Sequence, residues 1–210
     1  MDIQLLWKFL EILILGVVFI PMVYYANCLG IIIFSKKRNR GFEVISLKQW
    51  SKDVSKLSGL LDKDNFNFGI AQHSKIKLPK RATAHAAGYD VYSPFSFTLL
   101  PNESVEIPTG WKAYMNPNEK LIFHPRSGLG FKYFVRLANT TGVGDSDYYN
   151  CEKNEGHYWI KIRNEGNVEM TVSSGDAIAQ CIFGDYKLAD GDSFSGEKRT
   201  GGFGSTDKKQ

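Results

Sequence analysis

Cysteine is scarce and unpaired in this chain. Cys28, Cys151 and Cys181 are the only ones, isolated and odd in number, which excludes a disulfide framework and a cysteine-based metal site. The four histidines, His73, His85, His124 and His157, are scattered with no metal-ligand spacing, and none is assigned a catalytic role. An excess of charge is missing too. The net charge of +4 comes mostly from the first 40 residues, and the remainder holds 21 basic against 20 acidic residues. That balance excludes a general nucleic-acid-binding surface. From Ser74 onward helical periodicity is absent, so a helical bundle is excluded as well.

One absence is local. From Ile12 to Phe34 there is no Asp, Glu, Lys or Arg. At about 1.5 Å per helical residue such a run spans roughly 30 Å, the thickness of a bilayer core. It ends in Lys36, Lys37, Arg38 and Arg40, four cations in five residues. The positive-inside rule then places everything that follows in the cytoplasm, where three unpaired cysteines are at home. Residues 1–40 read as a membrane anchor, with a helix buried in an assembly or a misplaced start codon as alternatives. A cleavable signal peptide fits worse, because the charge follows the apolar run and no small-residue cleavage site is present.

Residues 41–73 follow as an amphipathic helix and linker. Ser46-Leu47-Lys48-Gln49 has the form of a capping box, and Leu47, Trp50, Val54, Leu57 and Leu61 recur with helical spacing to an end near residues 59–62. The stripe predicts packing against the main domain. Residues 74–188 then alternate short apolar stretches with Pro, Gly and Asn punctuation. Strands are expected at 74–78, 88–93, 96–100, 105–115, 121–125, 135–139, 157–164, 168–173 and 177–183. The pattern predicts an all-β, jelly-roll-like distorted barrel. Residues 189–210 are polar and rich in Gly and Ser, a composition that predicts a flexible tail.

Five segments carry polar chemistry into that frame: Ala87-Gly88-Tyr89-Asp90, Pro125-Arg126-Ser127-Gly128-Leu129-Gly130, Gly142-Val143-Gly144-Asp145-Ser146-Asp147-Tyr148, Gly175-Asp176-Ala177-Ile178-Ala179-Gln180 and Arg199-Thr200-Gly201-Gly202-Phe203-Gly204-Ser205-Thr206. Asp145 and Asp147, two apart, would share one face of a regular strand. Arg126-Ser127-Gly128 offers a guanidinium, a hydroxyl and a close-approach glycine to a phosphate. Gln180 places an amide inside an apolar stretch.

In content and order these segments resemble the motifs of the trimeric dUTP diphosphatase (dUTPase) family, in its phage and Gram-positive form, over about residues 75–206. The resemblance implies a homotrimer that hydrolyses dUTP to dUMP and pyrophosphate with Mg²⁺. It makes Asp145 the base that activates water at the α-phosphorus, a task an ionised carboxylate suits. Tyr148 would lie under the deoxyribose and leave no room for a 2′-hydroxyl. Asn139 and the backbone at Gly142–Gly144, Val143 included, would read uracil, with Asp147 beside them in the substrate site. Arg126, Ser127, Gly128 and Gln180 would hold phosphate oxygens. Asp90 would touch the metal through water. Phe203 would close over the base, while Arg199 or Lys198, with Gly204, Ser205 and Thr206, would take the γ-phosphate.

The chain departs from the family pattern at three points. Gly144 stands where an apolar residue is usual, which predicts a loosened hairpin. Residues 149–156 lengthen the next turn, a possible contact for a protein partner. The arginine of the tail lies one residue closer than usual to Gly201-Gly202-Phe203. Two alternatives remain: a nucleotide-gated regulatory binding protein, and a dCTP deaminase of the same fold, which would need a Glu at the pyrimidine C4 that the sequence does not show.

Overall fold

The computed structural model describes residues 3–14, 16–17, 21, 38–57, 71–194, 196 and 199–202. It falls into two compact units, Met1–Arg38 and Asn39–Gln210. In the first, Ile3–Ile14 form a helix whose Trp7, Leu10 and Ile12 are exposed. The helix starts ahead of the uncharged run, which for the most part lies outside the described residues. Among the described residues no helix is long and apolar enough to cross a membrane.

The second unit begins inside the basic collar. Arg40 pairs with the buried carboxylate of Glu119, and Gly41–Val44 form strand β1, which no sequence signal announced. β1 pairs antiparallel with β5 (Trp111–Tyr114), setting Phe42 opposite Ala113. The helix Leu47–Val54 follows, capped as expected: the Ser46 Oγ accepts the Gln49 N–H at 3.1 Å. Eight residues are too few for a helix to persist in water on its own. Its stability comes from Trp50 and Val54, which pack with Ile45 and Ile76 into a small core. Leu47 does not join that stripe and is exposed. Asp53 is buried in its place.

The remaining strands are β2 (Tyr89–Tyr92), β3 (Phe97–Leu99), β4 (Ser104–Pro108), β6 (Glu119–Pro125), β7 (Val135–Leu137), β8 (Gly142–Asp145), β9 (Trp159–Asn164), β10 (Met170–Val172) and β11 (Ala177–Asp185). The expected barrel is not closed. The described strands pair antiparallel in four separate ladders, ordered β2-β11-β6-β8, β4-β9-β7, β1-β5 and β3-β10. The cause is local. The apolar stretch 105–115 breaks at Thr109-Gly110, where Gly110 has φ of +80° and a Cβ would strike Ile76 at 2.4 Å. Only glycine tolerates both conditions. Residues 74–78, read as a strand, form none. A main core built from Trp111, Leu121, Phe123, Ile160, Ile162, Ile178 and Cys181, among others, lies between the ladders. The alternating burial of β6 and β9 shows the period-2 pattern that places one face inward.

Candidate active site

The third motif is a strand end followed by a tight helical turn. β8 stops at Asp145, and Ser146–Tyr148 make one 3-10 turn. Asp145 and Asp147 therefore do not share a strand face. They converge all the same on one guanidinium: Arg199 Nη2 lies 2.5 Å from Asp145 Oδ2 and its Nε 3.1 Å from Asp147 Oδ1. A cation of the tail thus pairs with the carboxylate that the motif resemblance assigns as base.

A cavity of about 410 Å³ opens beside these groups, lined in part by Asn139, Gly142, Val143, Asp145, Tyr148, Arg199 and Gly202. Such a volume fits a small ligand. One wall is β8, an edge strand of its sheet, so among the described residues one side of its backbone has no ladder partner and can bond a planar donor–acceptor edge. Val143 is exposed at 61% and turns its side chain outward. Tyr148 is buried at the other wall. Its hydroxyl donates to the His157 carbonyl at 2.8 Å and accepts from Asn154 Nδ2 at 2.7 Å. Burial pushes this phenol up to about 12, so it stays a protonated donor at neutral pH.

Gly144 is not a loose point. A Cβ there would lie 2.3 Å from the Tyr158 hydroxyl. That ring, itself buried, packs against Tyr148 with centroids 5.1 Å apart and against Phe123 at 5.0 Å. The usual apolar side chain has been exchanged for a phenol reaching across from Tyr158, the residue just before β9. The expectation of a loosened hairpin is overturned: the volume is filled. Tyr158 escaped the sequence reading, although a glycine at an expected apolar position signals a bulky neighbour on a facing element.

The phosphate-type residues form a second cluster. Asp90 on β2 sits opposite Gln180 on β11 and pairs with Arg126, Nε to Oδ1 3.1 Å. The Gln180 amide donates to the Pro125 carbonyl at 3.3 Å. Arg126 holds the cap position of a helix, Ser127–Tyr133, in a stretch where no helical pattern was read, and Ser127 opens its first turn. Gly128 has no neighbour within 4 Å of an added Cβ. Lys198, Phe203, Gly204, Ser205 and Thr206 lie outside the described residues.

The two clusters are far apart within one chain. Gln180 pairs with His124 and Asp145 with Lys120, on opposite sides of β6. Four residues along a strand and two strand spacings across give separations of roughly 13 and 10 Å. Groups acting on one phosphorus must lie within about two hydrogen-bond lengths of each other, roughly 6 Å.

Residues 149–156 do not project as a free loop. Tyr149 donates to Glu43 at 2.5 Å, Glu155 binds both the N–H and the hydroxyl of Ser46, and Lys52 donates to the Lys153 carbonyl. Next to them lies a buried pair. His157 Nδ1 is 2.7 Å from Asp53 Oδ2, and its Nε2 accepts the Gly110 N–H at 2.9 Å. Nε2 therefore carries no proton, and Nδ1–H donates.

Burial lowers the His157 pKa, and the opposing pull of Asp53 does not overcome it. For Asp53, burial raises the pKa, but hydrogen bonds from His157, Lys56 and Gln49 outweigh it and hold the group at about 2. Both groups bind fewer protons folded than unfolded, so both make stability fall as pH falls. The His157 contribution begins to be lost below its unfolded value of 6.5, and that of Asp53 below 3.8. The melting temperature should accordingly drop between about pH 7 and about pH 5, and His157→Gln should flatten that drop while lowering stability at neutral pH. Equal slopes for the two proteins would contradict this assignment.

Comparison with known proteins follows the same lines. The dUTPase family model matches residues 74–207. The deoxyuridine 5′-triphosphate nucleotidohydrolase of Lactococcus lactis subsp. lactis (strain IL1403) is 42% identical over 136 residues, covering 64% of this chain and 91% of that protein. The protein of the same name from Desulfitobacterium hafniense is 38% identical over 138 residues, covering 62% and 87%. The crystal structure of dUTPase from Streptococcus mutans aligns with a TM-score of 0.53 at 33% identity, over 72% of this chain and 99% of that one.

Proposed function

The chain belongs to the dUTPase family, and on that premise we propose that it hydrolyses dUTP to dUMP and pyrophosphate at a site shared between copies of the chain. The observation that carries this reading is the convergence of Asp145, Asp147 and Arg199 at the mouth of a cavity bounded by an edge strand and a buried tyrosine.

Uracil presents an acceptor–donor–acceptor edge, which the free backbone of β8 and the Asn139 amide complement. Tyr148, held at its hydroxyl, forms a wall against which a deoxyribose fits and a 2′-hydroxyl is crowded. Arg199 binds a triphosphate in preference to two partly solvated carboxylates, because the triphosphate carries more charge in bidentate reach. The tail then moves from Asp145 to the phosphates, and the freed carboxylate accepts the proton of a water attacking the α-phosphorus. The new P–O bond forms as the bond to the bridging oxygen breaks, and pyrophosphate leaves.

Asp90, through water, and the Gln180 amide beside Arg126 would form a set too small for a cage but suited to Mg²⁺ that arrives on the triphosphate. No group of three or more metal-ligating side chains occurs among the described residues. When bound, the ion would neutralise phosphate charge that otherwise repels the attacking water.

The separation of the two clusters supports assembly between subunits, as in a homotrimer. Chains carrying Asp145→Asn and chains carrying Gln180→Ala, each inactive alone, should regain about a quarter of the sites when co-expressed one to one, the random expectation for a heterologous interface. Mixed oligomers with no activity would overturn the shared site. The anchor remains part of the proposal: residues 12–34 and the cations behind them would tether the enzyme to the cytoplasmic membrane face. Recovery of the full-length chain wholly in the soluble fraction, without detergent, would refute that.

A further inference from the structure

The helix Leu47–Val54 lies outside the stretch that matches the family, residues 74–207. Yet it buries a carboxylate completely. Asp53 is 0% exposed and takes three donors, from His157, from Gln49 at 2.7 Å and from Lys56 at 2.6 Å. An apolar residue would pack there at lower desolvation cost, so the carboxylate needs another reason.

Its contacts supply one. The His157 ring is pinned at both nitrogens, by Asp53 on one side and the Gly110 N–H on the other. The backbone of His157 is fixed in turn, because its N–H donates to the Asn154 carbonyl at 2.9 Å. Its carbonyl is the acceptor for the Tyr148 hydroxyl. Asn154 completes the hold by donating to that same hydroxyl. A continuous path therefore runs from the added helix, through one buried imidazole and one carbonyl, to the wall of the cavity.

We propose that Asp53 is a positioning residue for the sugar pocket, fixing the Tyr148 ring through His157 and thereby setting discrimination between deoxyribonucleotide and ribonucleotide. The proposal rests on the reading of Tyr148 as the wall beside the sugar. It gives the segment before the family domain a place in the chemistry, although that segment touches no reacting atom. A wall excludes a hydroxyl only if it cannot yield, and a tyrosine held at its tip by a clamped carbonyl cannot swing away.

The test uses the full chain with dUTP and UTP. Asp53→Leu keeps the volume but leaves the His157 Nδ1–H without an acceptor. It should raise KM for dUTP about tenfold, leave kcat within about threefold, and lower the dUTP-to-UTP preference about tenfold. Asp53→Asn, which restores an acceptor, should recover most of the preference. Tyr148→Phe cuts the path at its other end without touching the helix and should lose selectivity to the same extent. Combined with Asp53→Leu it should lose little more, the non-additivity of two changes on one path. Selectivity unchanged in Asp53→Leu, rates on both nucleotides falling in parallel, or fully additive losses would each overturn the proposal. A wild-type chain inert toward dUTP would instead refute the function on which it rests.

Discussion

Asp145→Asn should remove nearly all turnover, with kcat lower by roughly a thousandfold and KM for dUTP little changed. On the proposed mechanism the change deletes the proton acceptor and little else. Asp145 stands at the exposed end of β8, its side chain 48% accessible, so no buried network depends on its charge. An asparagine there still offers an oxygen to Arg199. The loss should fall on the chemical step because, on the proposed reading, other groups hold the nucleotide: the β8 backbone, Asn139, and the side chains proposed for the phosphates. Steady-state kinetics with an independent measurement of dUTP binding separates the two effects. A variant that keeps kcat within about threefold of wild type would assign the base elsewhere.

Gly144→Ile, which restores the side-chain type usual in the family, should damage this protein. The new Cβ would meet the Tyr158 hydroxyl at 2.3 Å. The ring cannot withdraw easily, since Trp111, Phe123 and Tyr148 all pack against it. Overpacking of this kind costs about 1–3 kcal/mol. The displaced ring would also press on Tyr148, so affinity for dUTP should drop together with the melting temperature. Pairing the change with Tyr158→Leu should recover most of both losses, because the two positions trade volume across one contact. Denaturation curves for the two single variants and the double variant decide the matter. If Gly144→Ile alone proved as stable as wild type, Tyr158 would not be what makes glycine necessary.

Much of the second unit is legible in the sequence because its elements are locally encoded. Ser46 and Gln49 announce a helix start through a bond three residues long. Strands such as β6 and β9 announce themselves by alternation. Asp145, Asp147, Tyr148 and Arg199 are recognisable as motif residues, and the structure brings these four together. What was hidden depends on distant partners. β1 is a strand because β5 offers it an edge, and nothing within Gly41–Val44 says so. The Asp53–His157 pair joins residues 104 positions apart. Spacing rules that read neighbours cannot detect it. Gly144 was visible as an anomaly but misread, since its explanation lies on another element. The Ser127–Tyr133 helix was missed for a different reason: its two glycines, Gly128 and Gly130, argue against a helix by propensity, and tertiary contact prevails.

The central claim is that water activated at Asp145 attacks the α-phosphorus. Hydrolysis of dUTP by the full chain in ¹⁸O-labelled water, with mass analysis of both products, tests it in one experiment. The account predicts the label in dUMP and none in pyrophosphate. Label in the pyrophosphate would mean attack at the β-phosphorus, and the geometry assigned to Asp145 would be wrong.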